Sequence, residues 1–332
     1  MFNKKIPLHF AILITIAGIA ASFLLAFNIH KINEVEQPVD NSIQSCLPEI
    51  KRLGGYEYIR PLLFADRPCE SEKLSSLKAQ VDSLINSYKV SGVINGASVY
   101  LRQLNQAEWI SAGDMENYYP GSLLKVPELI TFFKMNEKTP GLMNQKVTYS
   151  VPFNLPKKVT FVSKSIELGK TYTIRELIYY MIVYSDNNAT MLLNQRMDTG
   201  IFKKLFTDLG LPNPDLTKND IPITAKGYSY FMRVLYNASY LNIEDSEFCT
   251  ELLSHSDFVN GLVNGLPKDT KVAHKFGEAG DGVNAHFSES GIVYIHNSPY
   301  LLTVMTKGKD NMVLPSVIRD ISKRVYDVIN TI

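Results

Sequence analysis

Residues 118–125 read Tyr-Tyr-Pro-Gly-Ser-Leu-Leu-Lys, and an apolar helical pattern continues directly from them. The first four residues predict a turn, and the helical run begins at Leu123. Ser122 is therefore expected in the first turn of a helix, where unpaired backbone N–H groups and the helix dipole favour developing negative charge. Lys125 follows three residues later on the same face. Burial that lowers the pKa of Lys125 would let it accept the proton of Ser122.

A Ser-x-x-Lys pattern on its own is weak evidence for a catalytic site. A serine that caps a helix, followed by a solvated lysine, gives the same pattern. The chain contains a second copy, Ser75 to Lys78, in an ordinary amphipathic helix. The copy at Ser122 differs in its context of a turn followed by an apolar helix. Its interpretation therefore depends on the motifs that follow it.

Two further motifs follow in order along the chain. The triplet at 185–187, Ser-Asp-Asn, comes after a predicted helix that begins with a capping-box pattern, Thr173 with Glu176. An Asx turn in which Asn187 or Asn188 caps the next helix is the structural alternative for this triplet. The third motif, Lys-Phe-Gly at 275–277, ends an apolar strand pattern.

The remaining patterns predict an α+β fold. Strand patterns at 97–104 and 108–112 form a hairpin, and helical patterns fill the middle third of the chain, the last of them at 224–241. Strand patterns return at 271–276, 285–296 and 300–306, ahead of a last amphipathic helix. This order predicts an antiparallel sheet that is built from both chain ends and flanked by helices, with an inserted all-helical lobe.

Composition agrees with a folded globular protein. Of the 332 residues, 45% are hydrophobic and 20% are charged, and the formal net charge is +1. Neither this charge nor any Lys/Arg block favours a nucleic acid partner.

Residues 1–27 predict a membrane anchor or a signal segment. Lys4 and Lys5 precede an uncharged apolar run at 10–27, which as a helix spans about 27 Å, close to the thickness of a bilayer core. The lysines place the N-terminus in the cytoplasm and the rest of the chain outside. The run is long for a signal peptide and is not followed by a small-x-small cleavage site, so an uncleaved single-pass anchor is favoured over secretion after cleavage.

Residues 28–73 are interpreted as a tether and N-terminal extension. A disulfide between Cys46 and Cys69 is plausible in an extracytoplasmic compartment. Cys249 lies in a helical pattern and is expected to be a buried thiol. His274 and His286 flank a predicted strand pair, but no third ligand with metal-binding spacing accompanies them, so residues of the sheet are favoured over a metal site.

Together the three motifs resemble those of the penicillin-recognising serine enzymes, above all class A β-lactamases and their DD-peptidase relatives. The resemblance covers residues 74–332 and implies a β-lactamase-like serine hydrolase domain that uses neither a metal ion nor an organic cofactor. It implies that Ser122 is the acylated nucleophile and Lys125 its proton acceptor. Ser185 would pass the proton to the leaving nitrogen, and Lys275 would supply positive charge near Ser185 and the substrate carboxylate.

The resemblance also implies the substrate-binding residues. Asn187 would bind the amide side chain of the substrate. The backbone N–H groups of Ser122 and Glu278, the residue after Gly277, would form the oxyanion hole. Phe276 departs from the family, which usually has a hydroxyl residue there to help hold the substrate carboxylate.

A second departure concerns the water-activating glutamate of class A β-lactamases. The corresponding stretch here reads Asn213-Pro-Asp-Leu-Thr, with asparagine in the place of the glutamate. An amide cannot act as that base, and neither Asp215 nor Asp220 has the expected position.

Three functions follow as hypotheses. The first is an anchored extracytoplasmic serine hydrolase acylated by β-lactams or related peptide amides. The second is a DD-carboxypeptidase or transpeptidase acting on peptidoglycan stem peptides, which the missing glutamate favours. The third is a non-catalytic binding or sensor domain on the same fold.

Overall fold

A computed structural model describes residues 48–155, 160–161, 163–218, 221–296 and 298–331. From Pro48 onward the chain forms one compact unit. No helix in these ranges is long and apolar enough to cross a membrane. The predicted anchor at 10–27 lies outside the described residues, as do Cys46 and Asp220.

A five-stranded antiparallel sheet is the centre of the molecule, in the order β4-β3-β9-β8-β7. Two short hairpins, β1 with β2 and β5 with β6, lie outside it. The strands of the described chain are β1 (Glu49–Arg52), β2 (Leu62–Asp66), β3 (Ile94–Gln103), β4 (Trp109–Gly113), β5 (Lys146–Thr148), β6 (Thr171–Thr173), β7 (Lys271–Ala279), β8 (Ala285–Tyr294) and β9 (Tyr300–Gly308).

Helices cover both faces of this sheet. The α-helices of the described chain are α1 (Ser75–Val90), α2 (Lys125–Lys138), α3 (Ile174–Val183), α4 (Asn187–Asn194), α5 (Thr199–Asp208), α6 (Ala225–Tyr236), α7 (Ile243–Ser254) and α8 (Leu314–Ile329). The helices α2 to α7 lie between the N-terminal strands and the C-terminal strands in sequence. This is the predicted α+β fold, with a sheet built from both chain ends. The inserted lobe is not all-helical as predicted, because the short β5–β6 hairpin lies between α2 and α3.

The sheet separates two apolar clusters, because successive side chains of a strand point to opposite faces. In β3, Val99 and Leu101 pack with α1 and α8, whereas Tyr100 packs with the helical lobe. All three side chains are at most 2% exposed. The near-continuous apolar strand patterns in the sequence follow from this burial on both faces.

The capping box at the start of α3 is confirmed. The Thr173 hydroxyl accepts a hydrogen bond from the Glu176 N–H, and the Glu176 side chain accepts one from the Thr173 N–H. The helix predicted at 224–241, in contrast, ends at Tyr236. Ala238 has a φ of +46°, which interrupts the helix, and Asn242 then caps the separate helix α7.

Folded structure begins N-terminal to α1. Asp66, at the end of β2, is buried and accepts hydrogen bonds from Arg102 of β3 at 2.7 Å and Arg233 of α6 at 3.3 Å. This pairing joins the β1–β2 hairpin to the sheet and to the helical lobe. Cys69, just beyond it, is disulfide-bonded. Cys249 is a free, buried thiol, as predicted.

Candidate active site

Ser122 lies in a 3-10 turn, Gly121–Leu124, that leads directly into α2. Gly121 has a φ of +53°, a conformation that favours glycine. The carbonyl of Leu123 accepts a hydrogen bond of 2.9 Å from the buried hydroxyl of Tyr228 on α6. The turn that carries the serine is therefore anchored to the helical lobe.

The edge strand β7 packs against this turn through direct contacts between the two backbones. A Cβ atom placed on Gly277 would come within 2.1 Å of the Pro120 carbonyl oxygen and 2.9 Å of the Ser122 nitrogen. A Cβ on Gly121 would come within 2.1 Å of the Glu278 carbonyl oxygen. Only glycine permits this approach, which brings the backbone of Glu278 beside the Ser122 turn.

Lys125 is the first residue of α2, and its side chain is buried with 3% exposure. Its Nζ donates hydrogen bonds to the Ser185 carbonyl oxygen at 2.6 Å and to Asn187 Oδ1 at 2.8 Å. It also lies 3.2 Å from Ser185 Oγ. The Ser-Asp-Asn motif therefore contacts the lysine of the Ser-x-x-Lys motif.

Lys275 reaches the same hydroxyl from the sheet. Its side chain is fully buried, and its Nζ donates to Ser185 Oγ and to the Phe276 carbonyl oxygen, each at 2.9 Å. Ser185 Oγ therefore lies between the two amines, and the three motifs meet in one place. Ser185 has a φ of +53°, an uncommon conformation for a residue other than glycine.

The turn between α3 and α4 also caps a helix. Asp186 accepts hydrogen bonds from the N–H groups of Asn188 and Ile166 and from the Ser165 hydroxyl. The capping interpretation of the triplet is therefore correct as well, but Asp186 makes the cap. The side chain of Asn187 remains available to Lys125.

Burial changes the proton affinity of both lysines. It lowers the pKa of Lys125 to about 8, against the opposing fields of Glu128, Asp186 and Glu278. It lowers the pKa of Lys275 well below its usual value, and the neighbouring Lys125 lowers it further. An unprotonated amine next to a serine is therefore accessible near neutral pH, as a proton acceptor requires.

Phe276 belongs to an aromatic cluster with Phe258, Phe287 and Phe161. Its ring stacks on Phe258 with a centroid distance of 4.1 Å, and its side chain is buried. The ring lies beside Lys275, whose Nζ is 4.1 Å from the ring centroid. Strand β7 thus carries an aromatic ring at the position where a hydroxyl residue was expected.

The segment that contains Asn213 has no regular structure in its described part. Asn213 and Asp215 are exposed, and the Asp215 carboxylate accepts hydrogen bonds from the N–H and hydroxyl groups of Thr217. These hydrogen bonds lower the pKa of Asp215. Asp215 is therefore held in its own exposed turn.

The two histidines do not meet. In the β7–β8 register His274 lies opposite Gly291, whereas His286 lies opposite Ala279. His274 instead pairs with buried Glu289, with Nδ1 2.7 Å from Oε1. Among the described residues, no group of three potential ligands has metal-binding geometry.

One buried residue of the site was missed by the sequence reasoning. Glu128 lies three residues after Lys125 on α2 and is only 8% exposed. A charged residue within an otherwise apolar helical face, three residues from a motif lysine, is the signal that identifies it.

A serine in the turn that begins a helix, a buried lysine three residues later and a second serine that contacts two buried amines define a serine acyl-transfer site. The chain belongs to the β-lactamase enzyme family, whose model matches residues 76–329. The protein is thus a serine hydrolase of that family.

Solved structures share the fold. The structure of PBP-A has 21% sequence identity and a TM-score of 0.65, covering 78% of this chain and 97% of its own. An acyl-enzyme complex of a PBP-A point mutant with penicillin G has 22% identity and a TM-score of 0.64, covering 78% and 98%. A class A β-lactamase from Mycobacterium abscessus has 18% identity and a TM-score of 0.63, covering 76% and 99%. A search of curated proteins found no match.

Proposed function

We propose that the protein forms an acyl-enzyme at Ser122 with β-lactams and with related peptide amides. The observation that supports this most directly is the position of Ser185 Oγ, within hydrogen-bond distance of the amines of both Lys125 and Lys275. A β-lactam or a peptidoglycan stem peptide is the substrate class that this arrangement fits best.

In the proposed reaction, unprotonated Lys125 accepts the proton of the Ser122 hydroxyl while Ser122 Oγ attacks the amide carbonyl carbon. The backbone N–H groups of Ser122 and Glu278 donate to the oxyanion that forms. As the C–N bond breaks, the Ser185 hydroxyl passes its proton to the leaving nitrogen and regains one from the protonated Lys125. Lys275 holds the Ser185 hydroxyl through its hydrogen bond and supplies positive charge there in its protonated form, and Asn187 binds the amide side chain of the substrate.

We further propose that release of the acyl group is slow. The residue in the place of the water-activating glutamate is Asn213, and the neighbouring Asp215 is held in an exposed turn by Thr217. This favours a DD-carboxypeptidase or transpeptidase as a second candidate function, since such enzymes form slowly hydrolysed penicillin adducts. The buried Phe276 favours a weaker hold on the substrate carboxylate than a hydroxyl residue provides.

Intact mass spectrometry with penicillin G, followed over time, tests both proposals. We expect the mass of the protein to rise by one whole penicillin molecule and the adduct to persist, with little nitrocefin turnover. Ser122→Ala is the control and is expected to show no adduct. Rapid nitrocefin turnover would instead identify an efficient β-lactamase. Absence of both adduct and turnover would contradict the proposal and support a non-catalytic binding domain.

We also propose that the apolar run at 10–27 anchors the protein in the cell membrane with the hydrolase domain outside. The disulfide bond of Cys69 supports this, because disulfides persist in oxidising compartments. Protease added to intact cells is expected to digest the domain, and the full chain should stay with the membranes after an alkaline wash. A variant that begins at Pro48 is the matched control and should be soluble. Recovery of the full chain in the cytosol would contradict the anchor.

A further inference from the structure

Glu128 is a buried carboxyl group behind the proposed active site. Its Oε1 accepts a hydrogen bond of 3.3 Å from Asn194 Nδ2, and its Oε2 is buried without a hydrogen-bond partner in the described part of the chain. No cation among the described residues forms an ion pair with it within 4.0 Å. A carboxylate that is buried and incompletely paired is costly, so its protonation depends on the nearest charges.

Glu128 and Lys125 belong to one polar seam between two helices. They lie three residues apart on α2, and they contact Asn194 and Asn187 respectively, which lie seven residues apart on α4. Residues at these spacings share a helix face. The seam connects the proposed proton acceptor to a second buried ionisable group, about one turn further along α2.

The carboxyl group is too far from the nucleophile to act on it directly. Glu128 lies six positions after Ser122, along the 3-10 turn and the start of α2, a rise of roughly 10 Å along the axis. Lys125 lies between them. Any effect of Glu128 on the reaction must therefore pass through the lysine.

We propose that Glu128 is a positioning residue that acts through Lys125 by controlling whether that amine carries a proton. With the carboxylate ionised, its field favours the ammonium form of Lys125. With a proton on Glu128 that field is absent, so Lys125 loses its own proton at lower pH and can then accept the proton of Ser122. The proposal rests on the proposed acylation of Ser122.

The electrostatics of the seam support this. Burial raises the pKa of Glu128 to about 7, while Lys125 lowers it, and burial lowers the pKa of Lys125 to about 8, while Glu128 raises it. The other charges near Lys125 are Asp186 at the start of α4, and Glu278 and Lys275 on β7. All three are retained when only Glu128 is changed.

Glu128→Gln keeps the shape of the side chain and removes its charge. The second-order rate constant for acylation by penicillin G, measured against pH, is expected to keep its plateau. Its acidic limb should move to lower pH by roughly one unit, since Lys125 loses the field that favours its proton. Glu137→Gln is the control, because Glu137 lies on the same helix but pairs near the surface with Lys134 at 2.7 Å. Its profile should match that of the wild type.

A Glu128→Gln profile that superimposes on the wild type, or that moves to higher pH, overturns the proposal. Carbon-13 NMR of the glutamate carboxyl groups in the wild type gives a test that needs no variant to fold. One buried carboxyl group should titrate near neutral pH, and titration of all glutamates below about pH 6 also overturns the proposal. Failure of wild-type acylation would contradict the proposed function instead, and the NMR titration would still report on Glu128.

Discussion

Lys125→Met is expected to reduce the rate of Ser122 acylation by penicillin G about a thousandfold, within the range that a positioned general base contributes. Methionine has a similar length but cannot accept a proton, and it removes the hydrogen bonds to Ser185 and Asn187. In the wild type the rate should rise with pH through about 8, because the base must be unprotonated and burial lowers the pKa of Lys125 to about that value. The variant should lose this dependence.

The measurement is the rate of adduct formation by stopped-flow or mass spectrometry, with thermal unfolding as a check on the fold. Removing one charge of a buried pair is costly when the other stays ionised. Burial already raises the pKa of Glu128 to about 7, so this carboxyl group can take up a proton in the variant, and a folded protein is expected. Lys134→Met is the matched control, since Lys134 lies on the same helix and contacts the Tyr240 carbonyl oxygen at 2.8 Å, away from the site. A Lys125→Met rate within tenfold of the wild type would show that another group accepts the proton.

Gly277→Ala is expected to reduce acylation about a hundredfold to a thousandfold, the loss associated with one oxyanion donor. The added methyl group would lie 2.1 Å from the Pro120 carbonyl oxygen, 2.6 Å from the Leu123 nitrogen and 2.9 Å from the Ser122 nitrogen. These are all backbone atoms, so either the strand or the turn must move. We expect this movement to separate the backbone N–H groups of Ser122 and Glu278, which are proposed to donate to one oxyanion.

Acylation kinetics and circular dichroism together test this prediction, since the sheet should keep its signal while acylation falls. Gly54→Ala is the control, because a Cβ there meets no atom within 4 Å. Acylation within a few-fold of the wild type, in a folded Gly277→Ala variant, would argue that Ser122 and Glu278 do not form the oxyanion hole.

The elements that local sequence determines were predicted well. The hairpin of β3 with β4, the capping box of α3 and the last helix all follow from side-chain period and cap chemistry, which act within a few residues. The same reasoning failed at the end of α6. There Ala238 adopts a left-handed conformation, and the apolar residues Tyr240 and Leu241 beyond it pack into the core from outside the helix. Periodicity cannot distinguish that from a longer helix.

The motifs identified the residues of the site, but the sequence did not show which of their side chains are in contact. Ser185 was expected near Lys275, and the structure places its hydroxyl between two amines. Asp186, rather than Asn187, makes the helix cap. The burial of Glu128 and Asp66 was not predicted, because a lone acidic residue in a sequence is ordinarily solvated.

Sequence alone determined the order of the helices, the five strands of the central sheet and the chemical class of the site, since periodicity, caps and motif letters are properties of neighbouring residues. Only the tertiary structure decided which amines share Ser185 and that β7 touches the Ser122 turn at Gly277. It also decided that Glu128 is buried behind Lys125. These facts depend on long-range packing, because packing determines how far each side chain is desolvated and how close the charged groups lie to one another. Desolvation and these distances in turn determine the pKa values on which the proposed chemistry depends.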